Sequence, residues 1–125
     1  MITNSTQQLG SYGESLAAIY IRSKGYQILH RNWRFKKLEV DIIAIDKGVL
    51  VFIEVKFRSS LAFGTPESFV SLRKQQFLFR AAEAYIYFYN WKGAARFDVV
   101  AIYQPRNRGD ESQVPQLNLI KDAFW

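Results

Sequence analysis

Residues 38–58 read LEVDIIAIDKGVLVFIEVKFR, and the way this stretch divides decides the fold. Val40, Ile42, Ile43, Val49, Val51, Ile53 and Val55 are β-branched, and Asp46-Lys47-Gly48 between them carries turn residues. Two strands folded back on each other are predicted. Side chains alternate along a strand, so Glu39, Asp41, Ile43 and Ile45 share a face of the first strand, and Phe52, Glu54, Lys56 and Arg58 share a face of the second. A two-residue turn at Lys47-Gly48 sets Asp41 opposite Glu54 and Glu39 opposite Lys56, whereas a bulged three-residue turn shifts that register.

Directly opposed carboxylates repel, so a fold that keeps both needs a counter-charge. Both strands read as nearly continuous apolar runs, the pattern of strands covered on both faces, where a charge is costly unless paired or bound to metal. Asp41 and Glu54 with Lys56 beside them have the composition of a divalent-cation site, since Mg2+ takes hard oxygen ligands and often only one or two carboxylates. Such a site suits hydrolysis of a phosphodiester: the ion acidifies water, and the lysine stabilises charge on the nucleophile or the phosphorane oxygens. The plainer alternative is a solvated Glu-x-Lys ladder in which Glu39 and Lys56 form an ordinary cross-strand ion pair.

Asp41 followed by Glu54-Val55-Lys56 resembles the D…(D/E)-x-K signature of restriction-endonuclease-like nucleases. The likeness extends to the small bacterial UPF0102 (YraN-like) family along nearly the whole chain. Its pattern G-x-x-G-E is met at Gly10 to Glu14, G-Y-x-I-L-x-x-N-x-R at Gly25 to Arg34, and (G)-E-x-D-x-I-A at Leu38 to Ala44. F-x-E-V-K-x-R follows at Phe52 to Arg58, then G-x-P at Gly64 to Pro66, Arg73-Lys74-Gln75, and Arg96 to Ala101. Leu38 departs from the pattern, standing where the family usually has glycine. The spacing of the acids is also similar to that of archaeal Holliday-junction resolvases, which makes branched DNA a candidate substrate. The resemblance implies that Glu14 is a third acid, approaching Asp41 and Glu54 to hold a metal or its water.

The 125 residues fit one domain, 1–125, large enough to bury about two-thirds of its unfolded surface. Hydrophobic residues at 49% and aromatics at 16% argue for a packed globule and against disorder. Absence of cysteine excludes disulfides, thiolate catalysis and Cys-ligated zinc, and is compatible with a reducing compartment. The N-terminal MITNSTQQLG has neither a positive n-region nor an apolar core, and no apolar run reaches spanning length, so a cytoplasmic protein without membrane contact is expected.

A net charge of +6 points to an anionic partner. Between Ser15 and Leu38 there is no acid, while Arg22, Lys24, Arg31, Arg34, Lys36 and Lys37 crowd together with Trp33 and Phe35 interleaved, as on a surface that touches phosphates and stacks bases. Asn32 and Arg34 are candidate phosphate contacts or loop caps.

Residues 6–24 have the spacing of a helix, with Leu9, Tyr12, Leu16, Ile19 and Tyr20 as its apolar stripe and Gly25 as its stop. Glu14 lies off that stripe, which by itself reads as a solvated carboxylate; Gly13 beside it permits close packing or approach of a phosphate backbone. Tyr26 to Leu29 reads as a short strand entering a basic loop, and His30 as a surface histidine. After the hairpin, Ser59 to Val70 reads as a loop over the active edge with a short strand at Ser68 to Val70. Ser71 caps a helix reaching to about Asn90, with Leu78, Ala81, Ala82, Tyr85, Phe88 and Tyr89 on its core stripe, and with Arg73 and Lys74 in its first turn as a phosphate clamp. The aromatic cluster of Tyr85, Tyr87, Phe88, Tyr89 and Trp91 exceeds what one helix face buries, leaving part for a dimer contact or a DNA-facing patch. Arg96 to Tyr103 is a further strand, with Asp98 as either an extra acid or a partner of Arg96. Gln104 to Gln113 is a loop, and Val114 to Ile120 an edge strand with Ala123, Phe124 and Trp125 tucking back.

The order α-β-β-β-α-β-β gives an α/β domain with a mixed central sheet flanked by helices, and the resemblance implies a restriction-endonuclease-like α/β/α core. The function expected is a metal-dependent DNA endonuclease acting on branched or damaged DNA. Asp41 and Glu54 would ligate Mg2+ or Mn2+, with the Val55 carbonyl as a further oxygen. Lys56 would handle the attacking water and Glu14 support the metal. Arg34, Lys36, Lys37, Arg58 and Lys74 would hold phosphates without reading sequence. The alternative from a different class is a non-catalytic DNA-binding accessory protein in recombination or DNA uptake; an RNA-processing nuclease on the same core is a third reading. A homodimer would suit a two-fold branched substrate, though no motif specifies its interface.

Overall fold

The computed structural model describes the backbone of residues 5–58, 70–104 and 114–124, and side chains from Gly10 onward within them. The Gly64 to Pro66 motif, the strand expected at Ser68 to Val70 except Val70 itself, Leu9 of the α1 stripe, the Gln104 to Gln113 loop beyond Gln104, and Trp125 lie outside the described side chains. The described elements follow the expected order: α1 (Ser5–Ser23), β1 (Gln27–Phe35), β2 (Leu38–Asp46), β3 (Val49–Arg58), α2 (Leu72–Tyr89), β4 (Ala95–Tyr103) and β5 (Gln116–Ile120). They form an α/β/α arrangement around a five-stranded mixed sheet in the order β1-β2-β3-β4-β5. The ladders β1·β2, β2·β3 and β4·β5 are antiparallel, and α2 carries the chain from β3 into parallel β4.

The central hairpin has the tight turn. Asp46 pairs with Val49 across Lys47-Gly48, which adopt φ 50 and φ 83. Positive φ at both central residues makes the turn twist with the strands, and glycine accepts that conformation without steric cost. Register runs from there to Ile42 opposite Ile53.

Two apolar layers sandwich the sheet. On one face Ala17, Ala18 and Ile21 of α1 meet Ile42, Ala44, Val51, Ile53, Val100 and Ile102. On the other, Leu78, Ala81, Ala82 and Tyr85 of α2 meet Val40, Ile43, Leu50, Phe52, Phe97 and Val99. The buried stripe of α1 is therefore Gly13, Ala17, Ala18 and Ile21, while Tyr12 and Ile19 are exposed. Small residues face the sheet because they let the helix approach it: a Cβ at Gly13 would stand 3.2 Å from the Phe57 ring. The altered stripe turns Glu14 inward, since it shares a face with Ala18 and Ile21.

The basic segment is strand and not loop. β1 continues to Phe35 and pairs with β2 through Phe35↔Leu38, with Trp33 and Phe35 half-buried and Arg34 exposed between them. Trp33 packs edge-on to Tyr85 and Phe35 edge-on to Phe88, so these rings meet α2. Helix α2 begins as expected, with the Ser71 hydroxyl accepting from the Lys74 N–H, and ends on left-handed Asn90. Phe88 and Tyr89 are exposed: Phe88 meets Phe35 edge-on, while Tyr89 stacks on Tyr85 at 4.3 Å and lies tilted against His30, which leaves the rest of each ring uncovered.

Asp98 is wholly buried and takes the simpler of its two roles. It accepts from Arg96 Nε (2.9 Å), from the Tyr26 hydroxyl (2.7 Å) and from the Asp122 N–H (3.0 Å). Arg96 also reaches Asp46 (2.7 Å), which Lys121 approaches at 3.4 Å. Burial by itself would lower the Arg96 pKa, but the Asp98 and Asp46 carboxylates raise it above its ordinary value, while the Arg96 hydrogen bond holds Asp46 below its own. This network ties the start of β1, the hairpin and the C-terminal segment together, and Phe124 stacks on Phe97 beyond it.

Candidate functional site

The ladder between β2 and β3 ends next to Asp41. Instead of continuing, the Val55 N–H donates to Asp41 Oδ2 at 2.8 Å, a side chain taking a donor that would otherwise go to the neighbouring main chain. Asp41 and Glu54 meet at this point within hydrogen-bonding reach. Two ionised carboxylates have no proton to share, so the contact is satisfied only when one of them is protonated. Desolvation first, then the Glu54 charge, pushes the Asp41 pKa up to about 8; the Val55 N–H opposes that rise and the Glu14 charge adds to it.

Glu54 is 4% exposed. Its Oε2 lies 3.4 Å from Lys56 Nζ and 3.8 Å from Lys74 Nζ, while its Oε1 is buried with no hydrogen-bond partner. The Lys56 contact is the counter-charge the sequence called for. Lys74 arrives from the first turn of α2, where it faces a carboxylate in place of the phosphate assigned to it. Glu39 does not pair with Lys56: β2 has left β3 at that level, and Glu39 lies 3.3 Å from Arg34 across the β1·β2 ladder.

Glu14 is half-buried and its Oε1 likewise lacks a partner. Desolvation first, then Glu39, raises its pKa, against Arg31 and a hydrogen bond from the Asn32 side chain. Asn32 adopts φ 53 in mid-strand, close to a bulge between Ile28 and His30. Asparagine tolerates that left-handed backbone, and here its exposed side chain reaches the Glu14 carboxylate. Glu14, Asn32, Arg31, Arg34 and Glu39 line an open groove of about 330 Å3. Arg31, whose cation opposes Glu14 and which donates to Ser15 at 3.3 Å, stands in the sequence only as one of a basic run; a bulged strand gives no periodic signal for where it points.

The structure thus brings together Asp41, Glu54, the Val55 main chain, Lys56 and Lys74, with Glu14 and Asn32 alongside. It leaves Lys36 and Lys37 exposed at the β1–β2 turn, and Arg73 exposed with its guanidinium 5.4 Å from the Phe77 ring. Arg58, at the end of β3, donates to the Phe57 carbonyl. Among the described residues no group of three His, Cys, Asp or Glu side chains closes around one point. A pair of carboxylates is nonetheless within what Mg2+ or Mn2+ accepts. Buried, unpartnered carboxylate oxygens on Glu54 and Glu14 are the hard donors such an ion takes, so the residues present fit it.

The family model described as "Uncharacterised protein family UPF0102" matches residues 13–102. The chain belongs to the UPF0102 family. Among its relatives, the UPF0102 protein of Chlorobium chlorochromatii is 44% identical over 124 residues, covering 98% of this chain and 95% of the relative. That of Flavobacterium psychrophilum is 44% identical over 117 residues (94% and 93%), and that of Caldicellulosiruptor saccharolyticus 43% over 119 (94% and 98%). The UPF0102 match begins one residue before Glu14 and takes in Asn32, Asp41, Glu54, Lys56, Lys74 and the Arg96–Asp98 pair. Among the described residues no helix is long and apolar enough to cross a membrane.

Proposed function

We propose that this UPF0102 protein is a metal-dependent DNA endonuclease. The observation that carries the reading is the junction at which β2 leaves β3, where Asp41 and Glu54 oppose each other, Lys56 stands beside them and Glu54 Oε1 has no partner. A structural ion pair would use both carboxylate oxygens, because an unpartnered buried acceptor costs about 1–3 kcal/mol. Here both lysine contacts fall on one oxygen, and neither is as short as a charge-assisted hydrogen bond.

Asp41 and Glu54 would hold Mg2+ or Mn2+, with the Val55 carbonyl and Glu14 as further candidates. Such an ion supplies Lewis-acid polarisation of the phosphate and acidifies water beside it. The rest is the work of this chain. Val55 N–H fixes the Asp41 carboxylate, so its other oxygen is oriented before any ligand arrives. Lys56 places a cation where negative charge develops as the phosphorus gains a fifth oxygen, and Lys74 holds Glu54 from the other side. Exposed Lys36, Lys37 and Arg73 lie at surface positions suited to a phosphate backbone, with contacts that carry no base information.

The test is cleavage of labelled single-stranded, duplex, flap and four-way-junction DNA with Mg2+ or Mn2+, comparing wild type with Glu54→Gln and Asp41→Asn. Cutting that vanishes in both variants and with chelator supports the reading and names the preferred structure. Cutting that survives in both variants sinks it, and tight binding without cutting by all three proteins favours the accessory role.

A further inference from the structure

Tyr87 is 81% exposed and Phe88 55% exposed, their rings 5.6 Å apart, in the last turns of α2. Phe88 meets Phe35 edge-on at 5.1 Å, and the Lys36 ammonium sits 5.3 Å from the Phe35 ring centroid. Lys36 and Lys37 form the β1–β2 turn beside these rings, and exposed Lys92 follows the end of α2. Exposed aromatic surface of this kind marks a contact with another molecule. Lysines outnumber acids around it: Lys36, Lys37 and Lys92 are exposed, Glu39 is already engaged by Arg34, and Glu83 lies one helical turn before Tyr87.

A second copy of the chain fits poorly. It would bring the same lysines against one another, and β1 is guarded against edge pairing by the bulge at Ile28/His30, by left-handed Asn32 and by exposed Arg31 and Arg34. A partner with planar rings joined by negative charges satisfies both features. We infer that the ridge of Phe35, Tyr87 and Phe88, with the Lys36-Lys37 turn, is a stacking platform for unpaired bases of single-stranded DNA.

This deepens the endonuclease reading and rests on it for where the strand leads. Lys37 and Lys36 precede Asp41 by four and five residues, about 13–17 Å at about 3.3 Å per residue, and Tyr87 and Phe88 lie about 20 Å along α2 from Lys74 at the site. Bases stacked on the ridge would therefore belong to an unpaired stretch a few nucleotides away from the bond that is cut.

The test is fluorescence anisotropy with oligo-dT and with a blunt duplex of equal length, in EDTA so that binding is read without cleavage. Wild type should bind oligo-dT more tightly than duplex. Tyr87→Ala, at a position too exposed to matter for folding, and Phe88→Leu, which keeps an apolar contact on Phe35, should each weaken oligo-dT binding by about 5- to 100-fold while duplex binding changes little. Lys36→Ala with Lys37→Ala should weaken both ligands and reduce the salt slope by about 1–2. The platform is overturned if the ring variants bind oligo-dT like wild type, or lose duplex binding equally. It is also overturned if sedimentation finds a wild-type dimer that Tyr87→Ala dissociates, which would give the ridge to a second copy. Single-strand preference lost in the ring variants, without any cutting in Mg2+ or Mn2+, would keep the platform and reject the nuclease. Cutting that depends on Glu54, with unaltered binding in the ring variants, would do the reverse.

Discussion

Replacing Asp41 by asparagine removes a charge while keeping shape and the acceptor for the Val55 N–H. In the unfolded chain Asp41 gives up its proton near the ordinary carboxylate value; in the fold, desolvation and the facing Glu54 let it keep that proton up to about 8. The native state therefore binds more protons than the unfolded state across that interval, and stability falls as pH rises through it. The contribution is full below about pH 4 and lost above about pH 8. Taken whole, a displacement of this size would exceed 5 kcal/mol, but the site is open to water on one side, so about 2–4 kcal/mol is the expected range. For a chain of this length that is roughly a 10 °C fall in Tm. The assay is thermal unfolding by circular dichroism from pH 5 to pH 9 in EDTA, wild type against Asp41→Asn. The wild-type Tm should drop relative to the variant as pH rises, and Mg2+ should restore it most at the alkaline end, because the ion must displace the proton to bind. Parallel curves for the two proteins would refute the reasoning, since they would mean that Asp41 is neither desolvated nor opposed by Glu54.

Arg96→Met removes the cation paired with fully buried Asp98 and leaves Asp46 to Lys121, and should destabilise by about 3–5 kcal/mol, read as a fall in the urea midpoint with an unchanged m-value. An unchanged midpoint would mean that the network contributes nothing net. Lys56→Met should lower single-turnover cleavage by about 100- to 1,000-fold while changing DNA affinity far less, because its cation acts on charge that develops during reaction. An equal loss in both quantities would make Lys56 a phosphate-binding residue only. Gly10 is exposed within α1 and a Cβ there meets nothing within 4 Å, so Gly10→Ala should stabilise by about 0.5–1 kcal/mol, seen as a Tm higher by a few degrees.

Where a local rule operated, the sequence was legible. Lys47-Gly48 between β-branched runs specified the hairpin and its register, and Ser71 and Asn90 marked both ends of α2. Strand β1 was cut short because its outward side chains are basic, and because the bulge and left-handed Asn32 break the alternation that would have revealed it. The α1 stripe was displaced for a different reason. Large apolar residues dominate the helical spacing over Gly13 and Ala17, yet the helix approaches the sheet through its smallest side chains, and that same displacement hides the inward turn of Glu14. Asp46 read as a turn residue because its partner Arg96 is far along the chain, and no local period reports a contact of that range.

The failures share a location with the chemistry. Consistent local rules make a strand pair continue, a left-handed residue fall in a turn, and like charges stay apart. Around Asp41 all three rules are broken together. The β2·β3 ladder stops, Asn32 is left-handed within a strand, and Asp41 faces Glu54, whose Oε2 takes both lysines while Oε1 has no partner. Each break destabilises the metal-free fold, and hydrophobic layers on both sides of the sheet, with the Arg96 network, supply the rigidity that holds them in place. Stability alone would favour replacing Asp41 by a neutral residue. Under the proposed endonuclease reading, a carboxylate that weakens the protein as pH rises stands at that position because it would hold the cation.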